Sequence, residues 1–192
     1  QRKDQGIAMI VPNASLQAAD AWYAEAVEAV SLAGYMTGTS ETAFSPNAAV
    51  TRATVVTVLW RLEGAPAFSV EAPFPDVAAG AWYETAAAWA KGKGIAAGND
   101  KGRFNPDSAV TREQLAVMLY RYAQYKGGDV AEGTLSLYSD AASISAWARE
   151  GMAHAVGLGL IQGSDGRIDP GGAATRSQLA VILQRLMTPA MG

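Results

Sequence analysis

The sequence contains no cysteine and a single histidine, and charged residues make up only 17% of its 192 residues. Without cysteine the chain cannot form a disulfide, a thiolate metal site or a cysteine nucleophile. Its 15 basic and 18 acidic residues give a net charge of -3, so no overall attraction to the phosphates of nucleic acids is expected. The apolar run at residues 7–11 is too short to span a membrane or to form the core of a signal peptide.

Apolar residues are abundant by contrast. They make up 49% of the chain, which excludes intrinsic disorder, and alanine is the most frequent residue type. This composition favours helices that pack closely together. The length fits one ordinary domain or a small array of repeats.

A Thr-Arg pair recurs three times, with the threonines 60 and 64 residues apart. Each pair has a proline five residues before its threonine and a second arginine ten residues after it. Upstream of each pair stands a tryptophan, followed after 12 and 16 residues by glycines. The chain therefore contains three copies of one unit, which we place at residues 16–64, 73–126 and 136–188, after a lead segment at residues 1–15. The links between the copies have the composition of exposed connectors.

Each copy predicts two helices joined by a loop. The first begins near the tryptophan and ends at the first glycine, and the second begins at the threonine as its N-cap. Gln114 and Gln178 complete a capping box in repeats two and three. Small residues on the first helix, namely Ala26, Ala86 and Gly151, predict close helix approach. We therefore predict a mainly α fold, a monomer in which three helix–loop–helix repeats close around a pseudo-threefold axis.

Repeat two carries a series of motifs found together in a known family. They are Phe74-Pro75-Asp76-Val77, Trp82-Tyr83, Gly94-Ile95, Gly98, Phe104-Asn105-Pro106 and Thr111-Arg112-Glu113-Gln114-Leu115-Ala116. This pattern resembles the S-layer homology domain, and the resemblance covers nearly the whole chain in three tandem copies. It implies grooves between neighbouring repeats that bind secondary cell-wall polymer, often through a pyruvylated amino-sugar. It also implies a non-catalytic, extracellular module that anchors surface proteins to a bacterial wall.

The arginine of each Thr-Arg pair is the first candidate binding residue. A cation at the first helical position opposes the helix dipole, yet it recurs in all three copies. Beside free backbone N–H groups, its guanidinium would bind a carboxylate such as that of a pyruvyl ketal. Alternatively, it pairs with an acid such as Asp76 or Asp140 and ties one repeat to another. The residues leave both open, and the resemblance favours ligand binding, above all in repeat two.

The repeated tryptophans and the second glycine of each copy are further candidates. The tryptophans would stack on a sugar or lie in the core, and we expect mainly packing with a ring edge exposed to a groove. The glycines would admit a ligand close to the backbone or serve the turn itself. The candidate ligand-binding residues are Arg52, Arg112 and Arg176; Trp22, Trp82 and Trp147; and Gly38, Gly98 and Gly163.

Catalysis and metal binding are not indicated. His154 aligns with Trp89 and Ala29 of the other copies, which favours a core position over a catalytic one. The loops lack the ligand pattern of an EF-hand, so neither a metal nor a cofactor is predicted. An alternative function is a helical repeat that binds another protein through the same loops. Three near-equivalent sites suit avidity better than the single specialised site of an enzyme.

Overall fold

The computed structural model describes residues 21–40, 43–69, 74–128 and 131–187. Within these ranges it contains no strand, and its main elements are α1 (Ala24–Leu32), α2 (Arg52–Leu62), α3 (Glu84–Gly92), α4 (Arg112–Lys126), α5 (Arg149–Gly157) and α6 (Arg176–Met187). Three single-turn 3-10 helices precede α5, at Leu135–Leu137, Ala141–Ser143 and Ala146–Ala148. The mainly α class and the three helix–loop–helix repeats are therefore confirmed. The lead segment at residues 1–15 lies outside the described residues.

The first helix of each repeat ends as predicted, at a glycine in the left-handed conformation. The φ angles of Gly34, Gly94 and Gly159 are 76°, 71° and 66°. In repeat two, the N–H of the next residue, Ile95, donates to the carbonyl of Ala90 at 2.8 Å. This back-bonding satisfies a carbonyl that the helix end would otherwise leave unpaired, and it turns the chain into the loop.

The second helix of each repeat begins at the arginine, with the preceding threonine as its cap. In repeat two the Thr111 hydroxyl accepts from the Gln114 N–H at 3.2 Å, and the Gln114 side chain accepts from the Thr111 N–H at 3.0 Å. Thr175 and Gln178 form the same capping box, with distances of 3.2 and 3.3 Å. Both predicted capping boxes are confirmed. In repeat one the Thr51 hydroxyl accepts from the Thr54 N–H at 3.2 Å and is hydrogen-bonded to the Thr54 hydroxyl at 3.0 Å.

Helices pack between repeats rather than within them. The second helix of one repeat lies against the first helix of the next, so that α2 packs on α3, α4 on α5 and α6 on α1. Close approach in the α4–α5 pair depends on Gly151, where a Cβ atom would lie 3.0 Å from the Val117 Cα. Ala26 and Ala86 are buried on the other two first helices. The predicted close approach is confirmed at Gly151.

The chain forms two compact units. One comprises the described parts of Gln1–Ala49 and Thr175–Gly192, and it contains α1 and α6 from opposite ends of the sequence. The other is Val50–Ala174, which contains α2 to α5. The packed pairs, and not the sequence repeats, therefore make up each unit.

A ring of three backbone hydrogen bonds lies inside the second unit. The N–H of Val50 donates to Ala174 at 2.9 Å, that of Ala174 to Val110 at 2.9 Å, and that of Val110 to Val50 at 3.0 Å. All three residues are buried, and each directly precedes the threonine of a Thr-Arg pair. Corresponding positions of the three repeats therefore meet in one closed cycle.

The described parts of the links between repeats are mostly exposed, as predicted, but each link also contacts a helix. The Phe68 ring lies directly against Gly92, at the end of α3. Gly133 donates its N–H to the Ala153 carbonyl at 2.7 Å and packs on Gly157, at the end of α5. Each link therefore packs on the first helix of the repeat that it precedes. The remaining link residues, 70–73 and 129–130, lie outside the described ranges.

Candidate ligand-binding site

Each Thr-Arg arginine extends from the start of its helix into the loop of the next repeat. The Arg52 Nε donates to the Phe104 carbonyl at 2.7 Å, and its Nη2 donates to the Ala97 carbonyl at 2.8 Å. Ala97 directly precedes Gly98, so the guanidinium lies beside the glycine loop. The corresponding bonds join Arg112 to Ile168 and Gln162, both at 2.9 Å, and Arg176 to Phe44 and Thr37, at 2.8 and 2.5 Å.

The arginines therefore tie one repeat to the next, but with a different partner from the one proposed. The acceptors are backbone carbonyls and not the carboxylates of Asp76 or Asp140. These bonds use two of the five N–H groups of each guanidinium. Burial lowers the pKa of all three arginines, which nonetheless remain cationic at neutral pH. Their ligand-binding role stays a prediction.

The helix starts themselves are already hydrogen-bonded. The N–H groups of Arg112 and Glu113 donate to the carbonyls of Gly172 and Pro170 at 2.9 and 3.0 Å. Equivalent bonds begin α2 and α6, and the capping threonines accept the N–H of the third helical residue. The expectation of free N–H groups beside the arginines was wrong. Any anion at these arginines must be held mainly by side chains.

Two aspartates, whose role the sequence analysis did not identify, fix the same loops from the other side. Asp76 accepts from the N–H groups of Phe104 and Asn105, both at 2.8 Å. Burial acts to raise the pKa of Asp76, but these backbone hydrogen bonds outweigh it, so its pKa lies below the ordinary value. Asp140 bonds Ile168 and Asp169 in the same way. The available signal was the spacing, since each aspartate precedes its first partner by 28 residues.

The repeated tryptophans are exposed to solvent. The exposed fractions of Trp22, Trp82 and Trp147 are 67%, 62% and 60%. Trp22 and Trp82 each make an edge contact with the tyrosine that follows, at centroid distances of 5.4 and 5.1 Å. The expectation that these rings mainly pack was therefore wrong. Among the described residues, two of the three arginines lie over phenylalanine rings, Arg52 over Phe104 and Arg176 over Phe44.

The second glycine of each repeat is required by its own loop. A Cβ atom would lie 2.6 Å from the Ala43 carbonyl oxygen at Gly38, and 2.8 Å from the Gly102 carbonyl carbon at Gly98. At Gly163 it would lie 2.5 Å from the Arg167 carbonyl oxygen. Such contacts with backbone exclude any larger residue. The turn alone thus accounts for the glycines, and their contact with a ligand stays a prediction.

His154 lies in the core, as predicted. It is 1% exposed, and neither ring nitrogen has a hydrogen-bond partner within the described ranges. The aligned Trp89 is likewise fully buried. In the described part of the chain, no group of three or more potential metal-binding side chains comes together. None of the helices described is both long and apolar enough to cross a membrane.

The fold and this geometry define a helical repeat module in which a Thr-Arg pair ties each repeat to the next. The family model of the S-layer homology domain matches residues 17–56, 73–116 and 137–180, and the chain belongs to this family. The predicted family and its three tandem copies are thereby confirmed. Membership identifies the chain as a cell-wall anchoring module of the extracellular surface.

The chain is similar to parts of several larger bacterial proteins. It is 38% identical over 159 residues to an endoglucanase of Bacillus sp. (strain KSM-635), covering 79% of this chain and 16% of that protein. It is 32% identical over 173 residues to an amylopullulanase of Thermoanaerobacterium thermosulfurigenes, covering 88% and 9%. It is 31% identical over 169 residues to the surface-layer 125 kDa protein of Lysinibacillus sphaericus, covering 84% and 14%. The chain thus spans less than a fifth of each relative.

Proposed function

We propose that this chain binds the secondary polymer of a bacterial cell wall without catalysing a reaction, and so holds a larger protein at the cell surface. The bound glycan is acidic, with a pyruvylated amino-sugar as the recognised group. Binding takes place between neighbouring repeats, where an arginine of one repeat meets the glycine loop of the next. The chain acts as a monomer, with its three repeats in the place of three subunits.

The exposure of three large aromatic rings at equivalent positions carries this proposal. Exposed tryptophans add nothing to the packing of a core, and an indole face is well suited to stacking on a sugar ring. Their recurrence at 60–67% exposure in every repeat supports several weak sites that act together. The arginines beside the glycine loops support recognition of a carboxylate, because the guanidinium retains N–H donors beyond the two that bond the loop.

The tryptophans offer a cleaner test than the arginines. Removing an arginine would break the tie between repeats as well as any ligand contact. We expect the combined variant Trp22→Ala, Trp82→Ala, Trp147→Ala to stay folded and to lose most of its co-sedimentation with purified cell walls. The control is Leu137→Ala with Leu158→Ala, which also removes large exposed apolar side chains. Thermal melts should show that both proteins remain folded.

A second experiment compares intact cell walls with walls from which acid has extracted the polymer. The unaltered chain should sediment with intact walls and stay in solution with extracted ones. Equal retention on extracted walls would overturn glycan binding and favour the alternative, a wall protein as the partner. Equal wall binding by the tryptophan variant and the leucine control would show that the tryptophans do not stack on the glycan.

A further inference from the structure

The turn before Trp147 is bonded to a carboxylate from another repeat. Glu113, the second residue of α4, accepts from the Ser145 N–H at 2.9 Å through one carboxylate oxygen and from the Ser145 hydroxyl at 2.8 Å through the other. Ser145 directly precedes the 3-10 helix Ala146–Ala148, which carries the Trp147 ring. Glu113 is only 9% exposed, so water competes little for these charge-assisted bonds. The segment that bears Trp147 is thereby joined to the start of α4.

Repeat two forms the equivalent bond in a different way. Gly80 stands two residues before Trp82, as Ser145 does before Trp147, and its N–H donates to the carboxylate of Glu84 at 2.7 Å. In repeat three the position of Glu84 is taken by Arg149, whose guanidinium cannot accept a hydrogen bond. The equivalent N–H therefore donates to a local carboxylate in repeat two and to a carboxylate of the preceding repeat in repeat three.

The residues that correspond to Glu113 in the other repeats cannot form this bond. They are Ala53 and Ser177, the second residues of α2 and α6, and both are 1% exposed. Alanine has no side-chain acceptor, and the Ser177 hydroxyl is hydrogen-bonded to that of Thr175 at 3.0 Å. Neither residue supplies the carboxylate that Glu113 provides, so this link to the next repeat belongs to α4.

Trp147 also lacks a contact that the other two tryptophans have. Trp22 and Trp82 each contact the ring of the tyrosine that follows, whereas Trp147 is followed by Ala148, which has no ring. Trp147 is 60% exposed, so packing alone restricts it little. The bonds to Ser145 therefore restrict the backbone where no neighbouring tyrosine restricts the indole.

We propose that Glu113 is a positioning residue for Trp147, which it holds in the orientation that stacks on a sugar. This inference rests on the proposed function, in which Trp147 contacts the wall polymer. A ring whose turn moves among several arrangements binds only in the competent one, and the apparent affinity falls in proportion to the population of that arrangement. Glu113 lies next to Arg112, which extends from the same helical turn into the glycine loop of repeat three. The start of α4 thus orients both an exposed ring and a loop of the next repeat.

Fluorine NMR of the chain labelled with 5-fluorotryptophan tests the positioning without a ligand. Trp147→Phe and Trp82→Phe assign the two signals. Glu113→Ala should shift and narrow the Trp147 signal, because the ring becomes more mobile, and should leave the Trp82 signal in place. Glu84→Ala is the matched control and should do the reverse. Glu113→Gln should keep the parent signal, since its amide can accept the Ser145 N–H and donate to the hydroxyl. An unchanged Trp147 signal in Glu113→Ala would overturn the inference.

Co-sedimentation with purified cell walls tests the consequence for binding. Glu113→Ala should raise the half-saturating wall concentration by about three- to ten-fold, and the double variant with Trp147→Ala should bind as Trp147→Ala does alone. Glu84→Ala should instead weaken the binding of Trp147→Ala further, because it acts on Trp82. If Glu113→Ala does not fold, Ser145→Ala removes only the hydroxyl bond and should show the same coupling with a smaller loss.

The outcomes separate this inference from the proposed function. An equal further loss when Glu113→Ala or Glu84→Ala is added to Trp147→Ala would overturn the inference, because Glu113 would then act on the fold as a whole. Unchanged wall binding by Trp147→Ala, with its fluorine signal still displaced by Glu113→Ala, would overturn the proposed stacking and not the positioning.

Discussion

At the scale of single residues, the burial of His154 makes the stability of the fold depend on pH. The imidazole lies on α5, with its centroid 5.5 Å from that of the Tyr120 ring of α4, and its nitrogens have no hydrogen-bond partner in the part of the chain that the structure describes. Burial lowers its pKa below the ordinary value of 6.5, because the charged form would lose its hydration. The unfolded chain binds the proton more readily than the folded one. The free energy of unfolding is therefore highest above pH 6.5, and it decreases as the pH falls below that value.

His154→Leu should abolish this part of the acid sensitivity. We expect the free energy of unfolding of the parent to fall by up to about 1.4 kcal/mol per pH unit below pH 6.5, until the folded pKa is reached. The variant should show a flatter profile between pH 7 and 5. Denaturant unfolding at several pH values measures both. Parallel profiles for the two proteins would show that the buried imidazole is protonated without penalty.

The folded state favours the charged form of Asp76, whereas it favours the neutral form of His154. The lowered pKa of Asp76 means that its stabilisation is present above about pH 3.8 and is lost as the pH falls through the folded value. Asp76→Ala should cost about 2 kcal/mol at pH 7, because it leaves the N–H groups of Phe104 and Asn105 without their acceptor. Asp100→Ala, in the exposed loop, is the control. If the two variants melt at the same temperature, the N–H groups of Phe104 and Asn105 find other acceptors.

At the scale of elements, the α4–α5 pair depends on the absence of a side chain at Gly151. A Cβ atom there would lie 3.0 Å from the backbone N and Cα of Val117. A helix backbone cannot yield as a side chain does, so a larger residue would force the two helices apart. The same logic applies wherever a first helix meets the second helix of the preceding repeat.

Gly151→Val should therefore destabilise the protein by about 1–3 kcal/mol, although glycine is itself a poor helix former. Ala153→Val on the same helix is the matched control, because Ala153 is half-buried and its substitution introduces the same β-branched side chain. Equilibrium unfolding in guanidinium chloride measures both variants. A smaller loss for Gly151→Val than for Ala153→Val would contradict the packing argument.

Local signals in the sequence were sufficient to predict the helix boundaries. A threonine followed three residues later by glutamine is a complete cap, and a glycine before an apolar residue ends a helix; Thr111 with Gln114 and Gly94 with Ile95 behave accordingly. The partners of the arginines could not be predicted in this way. Their acceptors are backbone carbonyls, such as that of Ile168, which have no residue-type signature. The exposure of Trp82 depends on tertiary packing that a periodic pattern does not specify.

At the scale of the whole molecule, the sequence repeat differs from the packing pair. Residues 73–126 contain α3 and α4, but α3 packs on α2 and α4 packs on α5. Residues 50–174 contain all four of these helices together with the three residues of the hydrogen-bonded ring. The second compact unit is therefore continuous in sequence, whereas a single repeat is separated from its partners.

The fragment 50–174 should fold cooperatively, and the fragment 73–126 should not. The shorter fragment exposes the apolar faces that its neighbours would cover, so we expect little stable helix in it. Circular dichroism and guanidinium unfolding of both fragments measure the difference. A sigmoidal unfolding transition of residues 73–126 alone would show that one repeat is self-sufficient.

The tie between repeats also bears on how the three copies can diverge. Its acceptors are main-chain carbonyls, which every amino acid possesses, and here they belong to Ala97, Gln162 and Thr37. Mutation can therefore change the side chains of the receiving loop without removing the acceptor, provided that the loop keeps its path. One gene can then vary the chemistry of three surface loops separately while the frame beneath them is inherited unchanged.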